Sequence, residues 1–254
     1  MKPVSYERIG AAAVVTIDRQ ERRNAVDGPT ADLLGEAYER FEADDDARVM
    51  ILTGAGDVAF CAGADLKAIE SFGPRLDRDA GPLGFTRRIA SKPTIAAISG
   101  WCLAGGLELA LWCDLRVATP TAALGFPERR WGVPLIDGGT QRLPRIVGLG
   151  RALDLILSGR IVEADEAHAM GLVNEIVPDG QHLERALEMA EALAQFPQDT
   201  MLADRSAAIE GFDLPLPEAL ELEARSSQPT LETAWRGAAR FAGGEGRGGA
   251  GAGV

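Results

Sequence analysis

The stretch from Thr94 to Arg142 constrains this chain more than any other. It begins with Thr94-Ile95-Ala96-Ala97-Ile98, a short apolar run set between Lys92-Pro93 and Ser99-Gly100. Such a run, bounded by breakers, reads as a buried strand. Ala104-Gly105-Gly106 follows, then Leu107 to Cys113, an apolar segment of helical composition. A small-residue turn that opens a helix leaves main-chain N–H groups aimed out of the first turn, with the positive end of the dipole behind them. That arrangement suits an anion or a developing oxyanion, and glycine lets a ligand come close to the backbone.

One carboxylate sits inside the apolar helix. Glu108 lies about one turn, roughly 5 Å, beyond Gly105 along the axis. An N3 glutamate of a capping box would need Ser or Thr three positions earlier, where Gly105 stands. A carboxylate among Leu, Ala and Trp is costly to bury and should hold its proton to high pH, as a proton-transferring group requires. A second carboxylate comes in Gly125-Phe126-Pro127-Glu128. Taken alone, Pro-Glu is an ordinary helix start, with Arg129 and Arg130 as ready partners.

Composition narrows the classes. The chain has 254 residues, 46% of them hydrophobic, enough for one substantial core or a domain with an appendage. No run of about 18 apolar residues suggests a membrane span. Met1 to Glu7 contains no apolar leader segment, so the expected location is the cytoplasm. Three cysteines, Cys61, Cys102 and Cys113, form no close pair and read as core thiols, not as a disulfide framework or a metal site. The only histidines, His168 and His182, lie in no nucleophile motif, which argues against a Ser-His or Cys-His hydrolase. A formal net charge of −12 disfavours nucleic acid as a partner. An anionic ligand would need a local basic cluster, for which Arg22, Arg23, Lys67 and Lys92 are the candidates.

Along the chain, Val4 to Ile9 and Ala12 to Ile17 read as a hairpin around Gly10. A helix is expected from Thr30 or Asp32, with Leu33, Leu34, Ala37, Tyr38 and Phe41 at helical spacing, and a strand over Val49 to Thr53. This alternation points to an α/β architecture. Gly54-Ala55-Gly56-Asp57-Val58-Ala59 superficially fits a dinucleotide fingerprint, but no clean helix follows it. Phe60-Cys61-Ala62-Gly63-Ala64-Asp65-Leu66-Lys67 is a second small-residue turn, readable either as an oxyanion donor or as a plain turn capped by Asp65. The Pro- and Gly-rich residues 68–91 suit a mobile lip over a pocket. Leu143 to Leu157 and Ala164 to Met170 read as helices, and Leu172 to Val177 as a strand. After His182, helical patterns dominate, with Leu183, Leu187, Ala190 and Leu193 on one face. The expected division is 1–196 for the core and 197–254 for a helical appendage, ending in a flexible tail from Gly243 to Val254.

Four islands carry a family likeness: Arg23-Asn24-Ala25-Val26; Phe60 to Leu66; Ser99-Gly100 through Gly105-Gly106-Leu107-Glu108 to Asp114; and Phe126-Pro127-Glu128 to Gly138-Gly139-Thr140-Gln141-Arg142. In order and spacing the chain resembles the crotonase superfamily, especially its enoyl-CoA hydratase-like members. The resemblance implies a spiral of β-β-α turns with a C-terminal helical region that builds homotrimers or homohexamers. It also implies an acyl-CoA thioester substrate and no metal or redox cofactor, the coenzyme being part of the substrate. By the same likeness, Glu108 and Glu128 act as the catalytic pair and the N–H groups of Ala64 and Gly105 hold the thioester oxygen. Arg23, Ala25, Ala62, Asp65 and Leu66 would line the CoA site.

The pattern departs from the family in places. Ala104 stands where a third glycine is frequent, and Trp101 would narrow the pocket. Asp137, in Pro134-Leu135-Ile136-Asp137, lies one position past the site of a catalytic aspartate in related dienoyl-CoA isomerases and aryl-CoA dehalogenases, an offset that favours a loop hydrogen bond, with a third acid near the acyl chain as the alternative. The reading is reversible hydration of a 2-enoyl-CoA. Its rivals are an isomerase that uses Glu128 alone, a silent acyl-CoA-binding protein and, more distantly, an NAD-dependent oxidoreductase.

Overall fold

The structure, a computed structural model, describes residues 2–245. The last nine positions of the expected flexible tail lie outside the described residues. The chain forms two compact units, Met1–Glu191 and one that starts at Ala192.

The first unit starts with the expected hairpin, β1 (Val4–Ile9) and β2 (Ala12–Ile17), antiparallel and turned at Gly10 with φ +57°. Helix α1 (Gly28–Ala43) begins earlier than its apolar spacing suggests. Asp27 caps it by accepting from the Thr30 N–H, and Pro29 occupies the first turn, where its missing donor costs nothing. Leu34, Ala37, Tyr38 and Phe41 form the buried face.

Then a pattern repeats. β3 (Val49–Gly54), β5 (Thr94–Ile98) and β7 (Leu115–Ala118) lie side by side and parallel in a six-stranded sheet of order β1-β2-β3-β5-β7-β10. Each is followed by a short strand of a second sheet: β4 (Ala59–Cys61), β6 (Trp101–Leu103) and β8 (Ala123–Gly125). These too are parallel neighbours in chain order, closed on one side by antiparallel β9 (Ile161–Glu163). Because both sheets advance in the same sequence order, the chain climbs as a spiral, each turn laying down two strands and then a helix. In the middle of the larger sheet β3 and β5 are buried along their whole length, as continuous apolar runs with covered faces require, whereas the edge strand β1 is largely exposed.

The helical parts of the turns are a 3-10 segment Leu66–Arg75, α2 (Gly105–Trp112), and the 3-10 turn Pro127–Trp131 with α3 (Gly139–Val147) and α4 (Leu149–Ser158). The Gly54-Ala55-Gly56 stretch leads into β4, so the helix that a dinucleotide fingerprint needs is absent there. α5 (Ala164–Ala169), β10 (Glu175–Ile176) and α6 (His182–Gln195) follow. The strand expected over Leu172 to Val177 shrinks to two residues beside β7. α6 buries His182, Ala186 and Ala190, a face rotated from the one expected from its leucines.

The second unit contains α7 (Gln198–Gly211), α8 (Leu216–Ser227) and α9 (Leu231–Ala242). The prolines sit at the element starts: Pro197 and Pro215 precede α7 and α8, and Pro217 lies in the first turn of α8. Phe212, Leu216, Leu220, Trp235 and Phe241 of this unit are exposed.

Candidate active site

Strand β6 ends at Leu103, and Ala104 takes φ +52° and ψ −126° before α2 begins. An alanine in that region is strained by roughly 1–3 kcal/mol. The strain is held in place because the Ala104 N–H donates to the Gly125 carbonyl at 2.9 Å and its own carbonyl accepts from the Glu108 N–H at 3.1 Å. The turn after β4 packs directly on it. A Cβ on Gly63, itself at φ +94°, would stand 2.8 Å from the Ala104 Cβ and 3.0 Å from the Gly105 nitrogen. Only glycine permits that approach.

Around Ala64, Val26 donates to the Gly63 carbonyl (2.8 Å) and Asp65 donates to the Val26 carbonyl (2.7 Å). The Ala64 N–H is skipped. It and the Gly105 N–H, the first of α2, donate no hydrogen bond among the described residues. A Cβ on Gly105 would lie 3.6 Å from the Ala64 nitrogen, so the two unengaged donors flank one spot. Both open onto a cavity of about 500 Å³ that is mainly apolar, with Leu66, Phe72, Leu103, Trp131 and Val133 among its walls.

Glu108 and Glu128 line the same cavity. Glu108 is 2% exposed, and its Oε1 accepts from the Asp137 N–H at 2.9 Å and the Gly139 N–H at 2.7 Å. A side chain on Gly139 would press within 3.0 Å of the Glu108 Cγ and Oε1, so glycine is what lets that amide approach. Burial, followed by repulsion from Asp137, pushes the Glu108 carboxyl up to about 8, against the pull of the two N–H donors. Glu128 is 6% exposed, and among the described residues neither of its carboxylate oxygens has a hydrogen-bond partner. Burial raises its pKa as well. A buried carboxyl without donors is most stable neutral, and it carries a proton available for transfer.

These raised values link folding to pH. The unfolded Glu108 carboxyl titrates near 4.5 and the folded one near 8, so the folded chain holds the extra proton between those values. The stability present below 4.5 is therefore lost as pH rises to 8. Glu128 and Asp137, also raised, add in the same direction. Urea midpoints measured between about pH 5 and pH 8 should fall for the parent and fall less for Glu108→Gln. Equal slopes would contradict the burial of that charge.

The remaining expected residues divide. Ala62, Ala64 and Leu66 line the cavity with Gly105 and the glutamates, whereas Arg23, Ala25 and Asp65 stand outside its walls. Arg23 is exposed at φ +52°, and its carbonyl accepts from the Ala62 N–H at 3.0 Å. Asp65 has a structural post: it caps the Leu66–Arg75 segment through the Lys67 N–H and pairs with Arg19 at 3.2 Å. Arg19 also pairs with Asp27 at 2.8 Å and donates to the Ala25 carbonyl, so one guanidinium binds the hairpin exit, the α1 cap and the Ala64 turn together. Asn24 is buried at φ +55° and donates to the carbonyls of Ala55 and Ala59. Neither residue was singled out from the sequence, although a polar loop ending in small residues was the available signal.

Three expectations need correction. Lys92 is not free for an anion, because its Nζ donates to the Phe41 and Asp44 carbonyls at the end of α1. Trp101 does not narrow the cavity, since it is not among the residues lining it. The supposed mobile lip is partly core: Leu83, Phe85 and Thr86 are buried, and Phe85 stacks on Tyr38 with ring centroids 5.7 Å apart. Asp137 forms the loop hydrogen bond that its offset favours, from the Leu83 N–H at 3.0 Å, and it also lines the cavity beside Glu108.

The Enoyl-CoA hydratase/isomerase family model matches residues 7–243. A short-chain-enoyl-CoA hydratase from Clostridium acetobutylicum is 36% identical over 88% of this chain and 87% of its own length. A crotonyl-CoA hydratase from Syntrophomonas wolfei is 36% identical over 87% and 86%. Among solved structures, enoyl-CoA hydratase EchA1 from Mycobacterium marinum superposes with a TM-score of 0.89 at 35% identity, over 95% of this chain and 96% of that one.

Proposed function

The chain belongs to the enoyl-CoA hydratase/isomerase family, and we propose that Glu108 and Glu128 act as a pair on one water bound between them. The enzyme is an enoyl-CoA hydratase, a lyase whose substrate is an acyl-CoA thioester. Conjugation with the thioester makes C3 of a 2-enoyl group electrophilic. The N–H groups of Ala64 and Gly105 receive the thioester oxygen and stabilise its charge as the enolate forms. Glu108 takes a proton from water while the water oxygen bonds to C3. The C2–C3 π electrons move into the enolate, which takes a proton at C2 from Glu128 as it collapses. Burial raises both carboxyls, but the two N–H donors on Glu108 favour charge there, while Glu128 lacks such partners among the described residues, a contrast that supports this direction of transfer. The pair titrates as a unit.

The observation that carries this reading is the placing of two buried carboxyls and two unengaged N–H groups around one apolar cavity. Purified protein should hydrate at least one member of a panel of trans-2-enoyl-CoA thioesters, read as loss of the conjugated thioester chromophore. Migration of a 3-enoyl double bond without hydration of any panel member would favour the isomerase.

The chemistry asks for no metal or redox cofactor. For the CoA phosphates, exposed Arg22, Arg23 and Lys67 are the basic groups near the Ala62–Leu66 turn, with the Ala25 and Ala62 backbone beside them. Three buried free thiols suit the reducing cytoplasm. The exposed apolar residues of the second unit suit burial in a homotrimer, or in a pair of trimers. Sedimentation at micromolar concentration should then show a trimer or hexamer, and a monomer would contradict the assembly.

A further inference from the structure

Asp137 touches more of the site than either glutamate. It is 3% exposed. Its main-chain N–H donates to Glu108 Oε1 at 2.9 Å. Its Oδ1 accepts from the Leu83 N–H at 3.0 Å and from the Thr86 hydroxyl. Its carbonyl accepts from Arg142 Nη1 at 2.9 Å, while Nη2 of the same guanidinium donates to the Thr86 carbonyl at 2.5 Å. Leu83, held at the far end of this latch, lines the cavity, and its Cδ1 lies 3.2 Å from where a Cβ on Gly105 would stand. The wall beside the oxyanion turn and the seat of the catalytic carboxylate thus meet at one residue.

We infer that Asp137 is a positioning residue, fastening the Leu83–Thr86 wall to the backbone that holds Glu108 so that cavity and carboxylate keep one geometry. Burial raises the Asp137 pKa, but as a carboxylate the side chain accepts from both the Thr86 hydroxyl and the Leu83 amide, and these donors together with Arg87 and Arg142 favour its charge. That charge has a second consequence. Glu108 faces Asp137 and Glu128 on the acidic side and Arg142 on the basic side, and Asp137 is the strongest charged influence holding its proton on. The role of Glu108 rests on the hydratase reading; the latch itself does not.

Two nearly isosteric variants separate the parts. Asp137→Asn keeps the Oδ1 acceptor and removes the charge. Thr86→Val removes the hydroxyl donor and leaves the charge. The readouts are the titration of the Glu108 δ-carbon by 13C NMR in unliganded protein, assigned by its loss in Glu108→Gln, and the Kd for saturated butanoyl-CoA by calorimetry. Both are independent of turnover, so a protein that fails to hydrate still answers the question. For Asp137→Asn, the Glu108 midpoint should fall from about 8 by about one unit, with Kd within about twofold of the parent. For Thr86→Val, the midpoint should stay near the parental value and Kd should rise about fivefold, the cost of loosening one cavity wall. An unmoved midpoint in Asp137→Asn, or a parental Kd in Thr86→Val, overturns the inference. A residue that only supported the fold would leave the midpoint where it is.

Discussion

Glu108→Gln should lower the rate of water addition by about 10²–10⁴-fold, and Glu128→Gln should do the same, because each would remove one of the general acid–base groups proposed for a single proton relay. The size follows from the setting. Glu108 is held at Oε1 by two main-chain amides and has no freedom to be replaced by a neighbouring group. Glutamine keeps its volume and presents the same carbonyl acceptor to those amides, but it cannot take a proton from water. Glu128 has no side-chain hydrogen-bond partner to lose among the described residues, so its glutamine variant should fold normally while offering no acidic proton for C2. If the two act on one water as proposed, their losses are not additive, and the double variant should be little slower than the worse single one. Independent contributions would multiply instead, and steady-state rates of the three variants distinguish the cases.

Gly105→Pro should lower kcat by about 10²–10³-fold, the loss typical of one missing oxyanion donor. Proline has no N–H, and the first position of a helix is where it is best tolerated. Ala104 is already strained at φ +52°, so a far-ultraviolet spectrum and melting curve must accompany the rate. An ester in place of the Ala104–Gly105 amide removes the same hydrogen without changing the side chains. It should give a comparable loss. Near-full turnover by a folded ester variant would mean that the thioester oxygen binds elsewhere.

The central helix and its glycine turn are legible in the sequence because their signals are local: an apolar run, three small residues, one carboxylate out of place. Gly63 and Ala64 are half legible. Their turn can be read, but only the fold brings the Ala64 nitrogen beside Gly105. Residues 81–86 mislead for the opposite reason. Their glycines and proline resemble a surface loop, yet Leu83 and Thr86 are buried and hydrogen-bonded to Asp137, 54 and 51 positions away in the chain. Arg19 is similar. Nothing within its neighbourhood reveals that it spans Asp27 and Asp65, because both pairings need the hairpin exit folded against the Ala64 turn. The buried apolar residues beside Glu108 in its own helix are the local signal of a raised pKa, which is why its chemistry can be anticipated before the structure, whereas Asp137 and Gly139, which complete its surroundings, lie 29 and 31 positions away.

The most direct test of a two-carboxylate hydratase compares Glu108→Gln and Glu128→Gln on a 2-enoyl-CoA and a 3-enoyl-CoA, following water addition and double-bond migration separately. Both variants should lose hydration by at least about a hundredfold, with their folds and acyl-CoA affinities intact. A Glu108→Gln variant that still hydrates at more than about a tenth of the parental rate would contradict the account, because one carboxylate would then suffice for the chemistry assigned to two.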